Sequence, residues 1–252
     1  MSTGKSVFAS EKISSFRERS RSGVVKGVRI VHGDRATVNL IARSGVDFIY
    51  LDQQHGTISV RDIYEISGLL AVYETLVLVR TLDQGSAGIG LALDAGAHGI
   101  ILPEIENADQ AMAFVRSTRF PPAGARSWGT FAMGRTGYSS PVEAIAPICW
   151  ALVESPTAVA QIDSIAAVSG LDGIYVGRFD LALSMKVPID EITKHEDHNA
   201  AIAMIRNAAD NYGIPIGTSG DFAQLSSQGF RILTVSSELD LILKGLSSYL
   251  SN

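Results

Sequence analysis

Short apolar runs alternate with longer amphipathic stretches along most of the chain. The runs are rich in β-branched residues, as is typical of strands that are buried on both faces of a parallel sheet. The stretches between them have the period of helices that cover such a sheet. Eight runs have this character, at residues 27–31, 48–51, 76–79, 99–102, 150–153, 173–176, 214–217 and 230–235.

A glycine stands just ahead of several of these runs, where a helix would end in the left-handed conformation before the next strand. These glycines are Gly45, Gly96, Gly170, Gly213 and Gly229. Helices are predicted to begin near Thr37, Val60, Ser86, Thr157, His198 and Asp221, and the clearest one follows Asn107 as its N-cap. Eight strand-helix units are the number that closes a (β/α)8 barrel.

The predicted fold is therefore α/β, a single (β/α)8 TIM barrel over residues 1–252 with an N-terminal extension at residues 1–23. Within that extension, residues 10–22 are predicted to form an extra helix that covers the bottom of the barrel. Residues 119–146 do not fit the repeat, because they contain Pro121-Pro122 and several glycines. We expect this long segment to be an active-site loop.

The composition of the chain limits the classes of molecule that it is expected to bind. The chain has 252 residues, 46% of them hydrophobic, and its net charge of −5 is carried without any basic run, so neither nucleic acid nor an anionic membrane is an expected partner. No signal segment or apolar span is apparent, which predicts a cytoplasmic protein. The one cysteine, Cys149, lies in an apolar run and is expected to be a buried hydrophobic residue.

Polar residues follow several of the predicted strands. In a barrel of this kind the chemistry lies where strands end, so these residues are the candidates for a site. They are Asp52 and His55 after the second strand, Arg80 after the third, Glu154 and Ser155 after the fifth, and Asp180 after the sixth.

Glu154 and Asp180 end adjacent predicted strands, so their carboxylates are expected to converge. Two such negative charges repel unless they share a cation or a proton, and a divalent ion that prefers oxygen ligands, Mg²⁺ or Mn²⁺, suits them. The alternative is structural: Glu154 pairs with a neighbouring arginine, and Asp180 caps the helix that begins at Leu181.

Arg80 emerges from a buried strand into the predicted mouth, where a guanidinium grips a carboxylate through two parallel hydrogen bonds. The alternative for Arg80 is an ion pair with Glu154 or Asp94. His55 is a candidate general base, with Asp94 as the carboxylate that orients its ring.

Several motifs in this order and at these spacings resemble the HpcH/HpaI aldolases, the class II pyruvate aldolases. The resemblance extends from about Gly27 to Leu246. Its most specific parts are GVDFIYLD at 45–52 with His55, LDAGA at 93–97, TRFPP at 118–122 with Gly124 and Arg126, VES at 153–155, and GLDGIYVG at 170–177 with Asp180.

The resemblance implies a carbon-carbon lyase that cleaves or forms a 4-hydroxy-2-oxo acid, with pyruvate or a related 2-oxo acid such as hydroxypyruvate and an aldehyde as its partners. It implies Glu154 and Asp180 as ligands of Mg²⁺ or Mn²⁺, with Co²⁺ as a further candidate. It also implies catalytic roles for His55, Arg80 and Asp94, and a homohexamer built as a trimer of dimers. The substrate would contact Arg80, Gly177, Phe179, Ser155 and Arg29, and backbone N–H groups around Gly177 and Phe179 would hold its carboxylate.

Four positions depart from the family pattern: Gln54, Leu152, the pair Arg178-Phe179, and Arg29. The two arginines suggest an acceptor that carries a carboxylate or phosphate, or else ion pairs at a subunit interface. Two other functions stay open. One is an acyl-CoA lyase or hydrolase of the malyl-CoA or citrate lyase type, and the other is a non-catalytic 2-oxo acid binding or assembly protein.

Overall fold

The computed structural model describes residues 4–129 and 146–251. Eight parallel strands pair in chain order and close on themselves, the last with the first. The strands are β1 (Val25–Ile30), β2 (Phe48–Asp52), β3 (Leu76–Arg80), β4 (Gly99–Leu102), β5 (Ile148–Val153), β6 (Gly173–Val176), β7 (Ile216–Ser219) and β8 (Ile232–Ser237). The predicted α/β TIM barrel is therefore confirmed.

Helices surround the barrel, and most begin where the sequence predicts. The predicted cap Asn107 and Asp221, near which a helix was predicted to begin, both accept a hydrogen bond from the backbone of their helices. The helices are α1 (Gly4–Ser22), α2 (Arg35–Arg43), α3 (Val60–Leu69), α4 (Ser86–Asp94), α5 (Ala108–Thr118), α6 (Pro156–Ala160), α7 (Ile162–Ala166), α8 (Arg178–Ser184), α9 (Glu196–Asn211), α10 (Phe222–Ser227) and α11 (Glu238–Leu250), with 3-10 turns at Leu70–Val72 and Ile189–Glu191.

Alternate residues of each strand point into the barrel, where they form one apolar cluster. The same alternation brings charged residues inward at the strand ends: Phe48 and Tyr50 are followed by Asp52, and Leu76 and Leu78 by Arg80. Outward-facing strand residues, including the fully buried Cys149, form a second cluster with the helices. The expectation that Cys149 is buried is confirmed.

The N-terminal helix α1 closes the bottom of the barrel, as predicted. Its Phe16 is fully buried against Phe48 and Trp150, at centroid distances of 5.9 and 6.0 Å. Gly27 allows this packing, because a Cβ there would lie 2.3 Å from the ring of Phe48. None of the described helices is long and apolar enough to cross a membrane.

The expectation of an active-site loop at residues 119–146 is corrected for the parts that the structure describes, residues 119–129 and 146. This segment leaves the C-terminus of α5 and enters the N-terminus of β5, so both of its ends lie at the bottom of the barrel, opposite the mouth. Its first part packs there, since Arg126 bonds to Asp94 at the end of α4. Residues 130–145 lie outside the described residues. An active-site loop of this subunit would have to connect a strand to the following helix.

Candidate active site

Arg80 is held at the barrel mouth by Asp52. Its Nε donates to Asp52 Oδ1 at 2.9 Å and its Nη2 to Oδ2 at 2.5 Å, and both side chains are almost wholly buried. Burial by itself raises the pKa of Asp52, but the hydrogen bonds and charge of Arg80 outweigh it and the pKa is lowered. The ion-pair partner of Arg80 is thus Asp52, and neither Glu154 nor Asp94 bonds to it.

Glu154 follows β5 and is only partly exposed. Burial, with the negative charges of Asp180 and Glu104, raises the pKa of Glu154 to about 7, although a backbone hydrogen bond and the charge of Arg80 act in the opposite direction. The charges of the two carboxylates and of the guanidinium therefore act on one another at the mouth.

Asp180 lies within the first turn of α8, whose N-cap is Gly177. The alternative in which Asp180 caps this helix is therefore wrong. Its exposed carboxylate makes no hydrogen bond or ion pair with any residue in the described ranges, so it is available to a ligand. Gly177 leaves room for the pair, because a Cβ at this position would lie 2.5 Å from Glu154 Oε2.

The acidic pair suits a divalent cation. Glu154 Oε1 accepts a hydrogen bond from the Glu104 backbone, whereas Oε2 and the Asp180 carboxylate are free for a ligand. Within the described parts of the chain, no three potential metal ligands come together. Two carboxylates, with water and substrate oxygens in the other positions, form the coordination that Mg²⁺ commonly accepts.

Glu104 belongs to the site but was not found from the sequence. It follows β4 with a φ of 58°, in the left-handed region that few side chains other than glycine adopt. This conformation directs its N–H to Glu154 Oε1 at 3.0 Å. Gln84 supports the turn, since its Nε2 donates to the carbonyls of Pro103 at 3.0 Å and Glu104 at 2.6 Å.

His55 is exposed in the loop after β2, and its backbone N–H donates to Asp52 Oδ1 at 3.2 Å. Asp94 lies at the other end of the barrel, as the last residue of α4, where it bonds to Arg126 at 2.6 Å. The predicted pairing of His55 with Asp94 therefore does not form within one chain. Gly96, which marks the end of this helix, could have indicated that Asp94 lies far from the mouth.

The predicted substrate contacts fall into two groups. Arg29 lies inside the barrel, where it acts on Tyr50 and Asp52, and Phe179 is half exposed at the start of α8. The Gly177 N–H and the Ser155 hydroxyl, in contrast, already have partners. Gly177 donates to the Val153 carbonyl at 3.0 Å, and Ser155 caps α6 while donating to Glu106 at 2.8 Å.

A closed (β/α)8 barrel carries its chemistry at the mouth, and the two carboxylates and buried arginine at this mouth suit an enzyme that uses a divalent metal as a Lewis acid. A family model described as HpcH/HpaI aldolase/citrate lyase matches residues 31–242. The chain belongs to this family.

Named relatives agree with this assignment. The chain is 30% identical to a 2-keto-3-deoxy-L-rhamnonate aldolase of Escherichia coli and 32% identical to a hydroxypyruvate/pyruvate aldolase of Pseudomonas aeruginosa, each over 69% of this chain and 67% of the relative. A crystal structure of a family member from Burkholderia cenocepacia J2315 superposes with a TM-score of 0.87 at 27% identity, covering 94% of this chain and 98% of the other. The predictions of an enzyme, a carbon-carbon lyase and an aldolase are confirmed.

Proposed function

We propose that this chain reversibly cleaves a 4-hydroxy-2-oxo acid to an aldehyde and either pyruvate or hydroxypyruvate. The observation that carries the proposal is the pairing of Glu154 with Asp180 at the barrel mouth, within reach of the charge of the buried Arg80. Its relatives support this substrate class, since one is named for a 2-keto-3-deoxy acid and another for hydroxypyruvate and pyruvate.

Glu154 and Asp180 would hold the divalent cation, Mg²⁺ or Mn²⁺ with Co²⁺ as a further candidate. When bound, the cation supplies Lewis-acid stabilisation of the negative charge that develops on the 2-oxo acid. Glu104 keeps Glu154 in position through its backbone N–H to Oε1, so that Oε2 would be free to bind the ion.

Arg80 stabilises the developing enolate. Its Nε and one Nη2 donor are bonded to Asp52, which leaves the Nη1 donors for an oxygen of the substrate. Asp52 is a positioning residue, because it fixes the guanidinium and offsets the free energy needed to bury its positive charge. An immobile donor that faces the reacting oxygen lowers the barrier without reorganising during the reaction.

His55 accepts the proton that the 4-hydroxyl group loses as the C3–C4 bond breaks, and that proton then passes to C3 of the enolate to give the free 2-oxo acid. The condensation direction reverses both transfers. For Asp94 to orient this ring, a neighbouring subunit must bring its own Asp94 to the mouth. The carboxylate of the 2-oxo acid lies at the first turn of α8, next to Phe179, where the helix has no side-chain cap. Arg29 and the backbone near Ser155 complete the pocket.

We also propose that the chain assembles as a homohexamer, a trimer of dimers, and works in the cytoplasm. The C-terminal helix α11 supports assembly, since large apolar side chains on it are between 40% and 80% exposed. These side chains are Leu239, Leu241, Ile242, Leu243, Leu246, Tyr249 and Leu250. A face of this kind is more apolar than a monomer normally exposes to water.

Release of pyruvate from a series of 4-hydroxy-2-oxo acids, with Mg²⁺ and then with EDTA, tests the proposed reaction. We expect turnover that EDTA abolishes and Mg²⁺ or Mn²⁺ restores. If these acids are inert while malyl-CoA or citryl-CoA is cleaved, the acyl-CoA lyase alternative replaces the proposal. If 2-oxo acids bind but no substrate is turned over, the binding-protein alternative replaces the proposal.

A further inference from the structure

A second pocket lies on the outside of the barrel, between helices α9 and α10. It has a volume of about 250 Å³, and Arg178 at the start of α8 is part of its lining. That volume equals roughly eight waters, so the pocket fits a ligand of a few heavy atoms. Its polar lining consists of Arg178, Thr193, His198, Asn199, Arg206, Gln224 and Gln228.

Arg178 is the residue that makes this pocket unusual. Its guanidinium is partly buried and has no hydrogen-bond or ion-pair partner in the described ranges, and its Nη1 lies 3.5 Å from where a Cβ of Gly220 would stand. A guanidinium stays charged in proteins, so an unpaired and partly buried one favours an anion beside it.

The rest of the lining adds positive charge and hydrogen-bond donors. Arg206 is fixed in place because its Nη1 donates to the Gln228 carbonyl at 2.9 Å. His198 Nε2 donates to the Arg178 carbonyl across 3.2 Å and so holds the backbone of that residue. The lining residues include no aspartate or glutamate. Two cations that share one small pocket repel each other until an anion lies between them.

We propose that this pocket, through Arg178 and Arg206 in its lining, binds a small oxyanion: a phosphate group or a dicarboxylate. A planar guanidinium bonds both oxygens of such a group, which a halide cannot match. The pocket is distinct from the mouth, because its lining includes none of Arg80, Glu154 and Asp180. Binding here does not depend on the proposed reaction.

Isothermal titration of the full-length protein with inorganic phosphate, and separately with malonate, tests this proposal. We expect one saturable site per chain, with Kd raised about tenfold or more in both Arg178→Gln and Arg206→Gln. Arg43→Gln removes an exposed arginine at the end of α2 and should leave Kd unchanged. Titrations with and without EDTA exclude binding through a metal ion at the mouth.

The two probes separate the possible sources of the anion. Tighter binding of phosphate identifies a phosphoryl group, and tighter binding of malonate identifies a dicarboxylate. The proposal is overturned if neither probe saturates, or if Kd is unchanged in both pocket variants while thermal melting shows them to be folded. Arg178→Lys keeps the charge and gives a second measurement, with an expected Kd between those of the wild type and Arg178→Gln.

Discussion

The two ends of the barrel carry the same kinds of charged side chain but balance them differently. At the bottom, Asp172 bonds to Arg17 at 2.7 Å and Asp94 bonds to Arg126 at 2.6 Å, so each acid has its own guanidinium. At the mouth, Arg80 bonds only to Asp52. Glu154 and Asp180 there have no bonded cation among the described residues.

This difference separates acids that stabilise the fold from acids that are available for catalysis. A buried acid that is paired and hydrogen-bonded holds two segments together, as Asp172 does between α1 and the start of β5. A carboxylate whose charge is not balanced by the protein is instead available to a ligand, and it shows a shifted pKa of the kind found at functional sites. The predictions below test whether the two ends can be changed independently.

The largest effect is expected from Glu154→Gln. It removes one carboxylate of the pair, so kcat for pyruvate release at saturating Mg²⁺ should fall by about 10³-fold or more. Stability should not fall, because the substitution also removes the repulsion between Glu154 and Asp180. Thermal melting and steady-state kinetics measure the two quantities.

The matched control is Asp172→Asn, the same kind of change at the bottom of the barrel. It should destabilise the fold by about 1.5–3 kcal/mol, the range for hydrogen bonds to charged groups, and leave kcat near that of the wild type. Similar kinetic losses in both variants, or unchanged turnover in Glu154→Gln, would contradict the separation of the two ends.

Arg80→Lys should have the next largest effect. A lysine keeps the charge but cannot bond in parallel to Asp52 and at the same time reach the substrate, so we expect kcat to fall about 10²-fold. Arg17→Lys makes the same change at the bottom and should alter the melting temperature more than kcat. A change in KM alone for Arg80→Lys would mean that Arg80 binds the ground state and transition state equally.

Gln84→Ala should have a smaller effect, since Gln84 acts on Glu154 only through the turn at Glu104. Loss of its bonds to two carbonyls should weaken Mg²⁺ activation by about tenfold. Glu104→Gly keeps both the left-handed backbone and the N–H, so its activation by Mg²⁺ should remain near that of the wild type. Gln161→Ala, at an exposed position, is the control, and an equal loss in that variant would count against a role for the turn.

Much of the fold follows from local signals. The alternation of apolar runs with glycine-terminated helices predicts the barrel, and strand-end chemistry predicts that Glu154 and Asp180 converge. The bounds of β1 and β8 were less predictable, because Val25 and Lys26 join the sheet by pairing with Ile232 and Leu233 of a distant strand. Helix α11 was not predicted as a separate element.

The partners in the site were harder to predict than its ligands. Asp52 was noted as a strand-end residue, but its bond to Arg80 depends on strand register, which pairs these two residues. Glu104 gives no local sign of its left-handed turn, since glycine is the usual residue there. Asp94 and the described ends of residues 119–146 lie at the bottom of the barrel, and the order of helix and strand could have indicated this, since Asp94 ends a helix and the segment joins a helix to the next strand.

The smallest expected effect is on the pH dependence of stability, and it arises from a histidine at the bottom of the barrel. His98 Nδ1 accepts a hydrogen bond from the Val77 N–H at 3.0 Å, so this nitrogen carries no proton in the folded state. Burial, and after it the charge of Lys12, lower the pKa of His98 to about 4. In the unfolded chain the pKa of histidine is about 6.5.

Because the folded pKa of His98 is the lower one, its contribution to stability is complete above about pH 6.5 and is lost as the pH falls towards 4. Between pH 7 and 6 the loss should be somewhat under about 1 kcal/mol. His98→Asn keeps an acceptor for the Val77 N–H but does not titrate, so urea unfolding at both pH values should show a weaker pH dependence than in the wild type. His32→Asn, at an exposed position near the mouth, should not weaken it, and an equal change in both variants would show that the effect does not arise from the bottom of the barrel.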